Sequence, residues 1–210
     1  MRRITDCRLY GIVDLGYVKP DAVEDMTVAL VEGGVDVLQL RAKNIPPHDV
    51  ETLARLMLPV TRAAGVPLVI NDHTSVAAAV GSEGVHVGQD DATIEETRRI
   101  LGPHCFVGKS THSVAQARAA MAEGADYIGF GPLFATGTKP DYAAIGLSDI
   151  AEVQRIATVP VFCIGGVNPG RLEQIIGAGA RRVVIVSAFL LAGDVRECVR
   201  KVAERLSGHS

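Results

Sequence analysis

Short apolar runs that end in glycine or a polar residue recur along the chain, at residues 8–14, 37–41, 68–72, 84–89, 106–110, 127–131, 161–166 and 183–187. The runs at 161–163 and 183–187 are continuously apolar, as strands buried on both faces should be. Between runs the period changes. Residues 21–31 place Ala22, Val23, Met26, Ala29 and Leu30 on one helical stripe, and residues 48–64 repeat this with Val50, Leu53, Ala54, Leu56, Met57 and Val60. Further helices are predicted at 74–80, 93–101, 113–122, 147–157, 169–176 and 188–206. Thr93 and Ser113 are expected N-caps, each with Glu96 or Gln116 three residues on in a capping-box pattern. Asn168 should cap a helix with Pro169 at its first position. Glycines just before strands, in Gly33-Gly34-Val35-Asp36, Gly81-Ser82-Glu83, Gly124-Ala125-Asp126 and Gly179-Ala180-Arg181, are expected to end helices in left-handed turns.

This alternation predicts an α/β fold: one (β/α)8 TIM-barrel domain over residues 1–210. The length is short for such a barrel, which more often has about 250 residues, so the connections must be short. An open doubly wound sheet is the rival, but such sheets usually have about five or six strands.

Composition removes several function classes. The net charge is −3, with no basic field to attract nucleic acid. No apolar stretch is long enough to span a bilayer, and the first residues do not resemble a signal peptide. Four scattered cysteines (Cys7, Cys105, Cys163, Cys198), without a C-x-x-C pair, fit a reduced cytoplasm and argue against a zinc site or disulfide scaffold.

In a barrel the chemistry sits where strands end. Arg41 and Lys43 follow strand two and Lys139 lies in the loop after strand six, a cationic set suited to a polyanion. Asp72 and Asp91 follow the adjacent strands three and four, so their carboxylates can share magnesium, which takes one or two carboxylates plus phosphate oxygens. Gly165-Gly166 after strand seven and Ser187 after strand eight lie where barrels commonly hold a phosphate. Each feature alone is more simply a rim ion pair or a tight turn. Together they indicate two phosphorylated substrates on one rim. Gly108-Lys109-Ser110-Thr111 imitates the end of a phosphate-binding P-loop, but Pro103 stands where its first glycine is required. Ser110 is expected to donate into the site and Lys109 to point away. His86 is read as a satisfied structural residue. His112 is an acid/base candidate, although a hydrogen bond at the helix entry is at least as good a reading.

The motifs Gln39-Leu40-Arg41-x-Lys43, Asn71-Asp72, His86-x-Gly88-Gln89-x-Asp91, Gly108-x-Ser110-x-His112, Thr136-x-Thr138-Lys139, Gly165-Gly166 and Val186-Ser187, together with the stretch from Asp126 to Phe134, occur in fixed order. With them the chain resembles the thiamin phosphate synthase family over nearly its whole length. The resemblance implies a transferase that condenses hydroxymethylpyrimidine diphosphate with hydroxyethylthiazole phosphate, releasing pyrophosphate. It implies that Gln39, Leu40, Arg41, Ala42, Lys43, Asn71, Ser110 and Lys139 bind the pyrimidine diphosphate. Arg41, Lys43, Ser110 and Lys139 would serve catalysis, and Asp72 and Asp91 would hold magnesium. Thr136, Gly137, Thr138, Gly166, Val186 and Ser187 would bind the thiazole phosphate. Ala42, His73, Lys109 and Ala135 depart from commoner residues of the family, and none of them removes a matched ligand. No nucleic-acid or membrane partner is expected, and the sequence leaves a homo-oligomer open. A thiazole tautomerase of the same fold, using His112 and no magnesium, has no use for Arg41, Lys43, Asp91 and the 136–139 loop together. A non-catalytic sensor of phosphorylated ligands is the remaining alternative.

Overall fold

The computed structural model describes residues 1–137 and 143–208. Eight parallel strands close into a barrel in sequential order: β1 (Leu9–Asp14), β2 (Val37–Arg41), β3 (Leu68–Asn71), β4 (Gly84–Val87), β5 (Phe106–Thr111), β6 (Tyr127–Phe130), β7 (Val161–Cys163) and β8 (Val183–Ile185). β1 pairs with both β2 and β8, which completes the ring. The closed ring, rather than an open sheet, is what eight apolar runs predict. Both strand faces are buried because helices cover the outside and side chains fill the inside. An aliphatic core of Val, Leu, Ile and Ala dominates, with Tyr10, Tyr127, Phe130, Phe162 and Phe189 as its largest fully buried side chains.

The helices are α1 (Val23–Gly33), α2 (Pro47–Ala63), α3 (Thr74–Val80), α4 (Ile94–Leu101), α5 (Val114–Ala122), α6 (Ile150–Ile156), α7 (Leu172–Gly177), α8 (Ser187–Leu190) and α9 (Val195–Ser207). Three expectations need correction. The last predicted helix is two: a bend at Gly193-Asp194 separates α8 from α9, and the Asp194 carboxylate caps α9 by accepting from the Glu197 N–H at 2.9 Å. Thr93 forms its full capping box with Glu96, but Ser113 forms half of one. Its hydroxyl accepts from the Gln116 N–H, while the Gln116 carbonyl reaches one residue further back and accepts from the His112 N–H at 2.7 Å. Asn168 accepts from the Gly170 and Arg171 N–H groups, so it caps a turn, and α7 begins three residues beyond Pro169. The glycines expected to end helices do adopt left-handed backbone, with φ of 102° at Gly34 and 66° at Gly81.

At the N-terminal end of the barrel an acid precedes three of the even-numbered strands. Asp36 accepts the N–H groups of Arg8 and Leu9 at 2.8 and 2.9 Å, Glu83 that of Leu68 at 2.9 Å, and Asp126 that of Val107 at 2.7 Å. Each acid therefore ties the start of the preceding strand to its own. An arginine pairs with each: Arg2 with Asp36, Arg62 with Glu83, and Arg98 with Asp126. The equivalent place before β8 holds Arg182, which donates instead to the carbonyls of Cys7 and Thr5.

Candidate active site

A cleft opens at the C-terminal ends of the strands. Its wall includes Gln39, Arg41, Asn71, Ser110, Thr136, Gly166, Val186 and Ser187 of the predicted residues. Side-chain alternation explains the choice along β2: Gln39 and Arg41 face the cleft, while Leu40 between them is fully buried in the apolar core. Ala42 is also buried and does not line the cleft. Lys109 turns outward, as expected, and its ammonium meets Glu123 on the helical side at 2.9 Å, whereas Ser110 turns inward. Lys43, Asp72, Asp91 and Gly137 stand outside the cleft wall. Thr138 and Lys139 lie outside the described residues.

Two charge groupings occupy the β1–β4 rim. Arg41 donates to the Asp14 carboxylate at 2.7 Å, in a pair that is almost wholly buried. The Arg41 Nε is buried with no hydrogen-bond partner among the described residues. Asp14 was missed by sequence reasoning, although it ends β1 as the other site residues end theirs. Its second oxygen accepts the Gly16 N–H at 2.9 Å, which fixes the carboxylate. Next to this pair, Lys43 reaches Asp72 at 2.6 Å. Asp72 has a left-handed backbone, φ 62°, which turns the chain sharply after β3. Burial pushes its carboxyl above the ordinary value and neighbouring Asp91 pushes it further, against the pull of Lys43. Asp91 in turn accepts the Gly88 N–H at 2.7 Å. A Cβ on Gly88 would lie 2.7 Å from that same oxygen, so a side chain there would push the Asp91 carboxylate aside.

Two neighbouring carboxylates, one of them raised, suit a hard divalent cation that keeps waters and takes further oxygens from a phosphate. Among the described residues no three or more His, Cys, Asp or Glu side chains gather into a metal cage. A two-carboxylate magnesium site matches that donor set, and an all-protein metal site does not.

On the opposite rim Gly165 and Gly166 both have positive φ, and their added Cβ atoms would lie 2.4 Å from Pro132 and 2.7 Å from Phe134. The glycines let the sixth loop pack onto the seventh. Arg171 secures the arrangement, donating to the Gly166 carbonyl at 2.7 Å and lying 4.2 Å over the Phe134 ring. His112 lines the cleft, with its Nδ1 against the Gly131 carbonyl.

The cleft floor is polar where an aliphatic barrel would be dry. Tyr10 and Tyr127, fully buried, meet hydroxyl to hydroxyl at 3.0 Å, and His86 and Gln39 join them. Sequence reasoning took His86 as structural and gave neither tyrosine a role in the site. Gly108, which belonged to the false P-loop, makes room for this floor: a Cβ there would lie 2.0 Å from the Tyr127 ring.

A closed parallel barrel with charged and polar side chains gathered at the C-terminal ends of its strands has the build of a barrel enzyme. Comparison with known proteins specifies which. The sequence pattern of thiamine monophosphate synthases matches residues 9–189. A thiamine-phosphate synthase of Roseiflexus sp. (strain RS-1) is 43% identical over 193 residues, 91% of this chain and 82% of that one. One from Thermus thermophilus is 42% identical over 189 residues, 90% of this chain and 91% of that one. The solved thiamine phosphate pyrophosphorylase of Pyrococcus furiosus superposes with a TM-score of 0.89 at 28% identity, covering 98% of both chains. The chain belongs to the thiamine monophosphate synthase family, and it is a transferase.

Proposed function

We propose that this cleft joins hydroxymethylpyrimidine diphosphate to hydroxyethylthiazole phosphate, giving thiamin phosphate and pyrophosphate. The observation that carries the reading is Arg41. A guanidinium fixed in the cleft wall by Asp14, with a buried Nε that lacks a partner among the described residues, is built to receive an anionic oxygen. Lys43 stands beside it. In the reaction the bond from the pyrimidine methylene to the diphosphate oxygen breaks, and its electron pair leaves with the diphosphate. The lone pair of the thiazole nitrogen forms the new carbon–nitrogen bond. The nucleophile is neutral, so no strong base is required.

The pyrimidine diphosphate half of the site is Gln39 to Lys43, Asn71, Ser110 and Lys139. The thiazole phosphate half is Thr136, Gly137, Thr138, Gly166, Val186 and Ser187. Asp72 and Asp91 would hold magnesium, which when bound adds positive charge against the departing diphosphate. Arg41 and Lys43 do the same from the protein side. No helix among the described residues is long and apolar enough to cross a membrane. The four free cysteines fit a reducing compartment, and we place the protein in the cytoplasm.

The test is to mix the protein with both substrates and magnesium and follow thiamin phosphate and pyrophosphate by phosphorus NMR. Product that disappears on chelation is expected. No product, or product indifferent to chelator, refutes the reading, and isomerised thiazole phosphate alone would select a tautomerase.

A further inference from the structure

Five side chains cross the cleft floor as an unbroken hydrogen-bonded series. The Gln39 Nε2 donates to the Tyr10 hydroxyl at 2.8 Å, Tyr10 meets Tyr127 at 3.0 Å, Tyr127 meets the His86 Nδ1 at 3.0 Å, and the His86 Nε2 meets the Ser110 hydroxyl at 2.9 Å. Both ends, Gln39 and Ser110, line the cleft. The middle is packed against an aromatic ring. The Phe162 ring stands edge-on to Tyr10 at 5.4 Å and to Tyr127 at 5.6 Å. Burial pushes both phenols well above their ordinary range, so each keeps its single proton.

One proton per link fixes the sense of the whole series. With the Gln39 amide N–H on Tyr10, the Tyr10 proton must go to Tyr127, and that of Tyr127 to the His86 Nδ1. The His86 proton then sits on Nε2 and goes to Ser110. This leaves the Ser110 O–H and the Gln39 carbonyl for the cleft. Turning the Gln39 amide over reverses every link, so that Gln39 shows an N–H and Ser110 a lone pair. A mixed state leaves a buried polar group unsatisfied and is disfavoured. The two ends therefore cannot choose their hydrogen-bond roles independently.

We propose that Gln39, Tyr10, Tyr127, His86 and Ser110 form one locked unit that always presents opposite hydrogen-bond roles at its two ends, and so reads the pyrimidine edge as a donor–acceptor pair. It admits a ring edge with one donor and one acceptor, which is what an amino group and a ring nitrogen offer, and rejects an edge with two acceptors, because both ends would then have to donate. Tyr10, Tyr127 and His86 are positioning residues in this scheme and set specificity through the two ends. The proposal rests on the substrate reading above.

The test is calorimetric binding, with magnesium and without thiazole phosphate, of three probes: inorganic pyrophosphate, the 4-aminopyrimidine diphosphate and its 4-methoxy counterpart, whose edge carries two acceptors. Wild type should prefer the amino compound roughly 100-fold or more, since a site built around hydrogen bonds rejects a mismatched partner strongly. Tyr127→Phe and Tyr10→Phe cut the series while keeping the rings. Each should reduce that preference about tenfold, mainly by improving the methoxy compound, and leave pyrophosphate binding unchanged. Nitrogen-15 NMR of wild type bound to the amino compound should show His86 neutral with its proton on Nε2. A preference unmoved in both variants, or an imidazolium in the complex, overturns the locked unit. Wild type that binds pyrophosphate but neither pyrimidine overturns the substrate reading itself, and the proposal with it.

Discussion

Replacing Asp14 by asparagine tests the electrostatic design of the cleft. The side chains of Asp14 and Arg41 are 3% and 13% exposed, so the pair is screened little by water. The substitution keeps the shape and removes the charge, leaving a guanidinium that cannot lose its proton. Breaking a buried pair in this way typically costs about 3–5 kcal/mol. The cleft admits some water to Arg41, which puts the expected loss at the lower end, about 3 kcal/mol. For a chain of 210 residues that corresponds to a fall in Tm of roughly 7 °C. A diphosphate can then stand in for the missing carboxylate. Saturating inorganic pyrophosphate with magnesium should therefore stabilise the variant more than wild type and recover several degrees of the deficit. Differential scanning calorimetry with and without pyrophosphate measures both effects. A deficit under about 2 °C, or one that pyrophosphate leaves unaltered, would refute the argument that Asp14 holds Arg41 ready for an anion.

Gly108→Ala places a methyl group 2.0 Å from the Tyr127 ring, in a strand hydrogen-bonded on both sides; a loss above ~4 kcal/mol is expected, and an unchanged Tm would contradict the clearance role. Burial pushes the thiols of Cys7 and Cys163 to about 12 and that of Cys105 to about 11. The folded protein thus keeps protons that unfolded thiols release near pH 8.5, so stability should fall as pH rises through and above that value, and a Tm constant from pH 8 to 10 would contradict this. Thr93→Ala removes a complete capping box and should cost about 1 kcal/mol, or roughly 2–3 °C in Tm by thermal melting. Lys139→Ala should lower kcat more than it weakens thiazole phosphate binding, and equal turnover in steady-state kinetics would end the role assigned to Lys139.

The barrel was legible because each strand is a local apolar run and each helix a local stripe, so neither needs distant residues to declare itself. The same locality made the rim readable, since Arg41, Asn71, Asp72, Ser110 and Gly166 each mark the end of a strand. Asp14 escaped notice because its meaning comes from Arg41, which lies beside it only once β1 and β2 are in register. Tyr10 and Tyr127 are 117 residues apart. Inside an apolar run a tyrosine reads as core, and nothing local shows that two hydroxyls will meet when the ring of strands closes. The role of Gly108 was hidden for a related reason: its neighbours only imitate a phosphate loop, a reading the sequence already excluded, and the ring that takes the space it leaves comes from the next strand. The division between α8 and α9 was missed because one apolar stripe continues through Gly193, and the Asp194 cap carries the signal that the stripe conceals.

The acids at the base of the barrel divide its staves into couples. Asp36 binds the β1–β2 couple, Glu83 the β3–β4 couple and Asp126 the β5–β6 couple. The β7–β8 couple has Arg182 where the acid would stand, and its aligned residues are Cys163 and Val183 alone among the described strands, where every other neighbouring pair aligns three residues or more. The cask therefore has a seam. Amide hydrogens along β7 and β8 should exchange ahead of those in the tied couples. The loops that leave this seam are the ones proposed to hold the thiazole phosphate. A molecule that bridges them would act as the missing hoop, and the thiazole phosphate would stiffen the same vessel that holds the diphosphate.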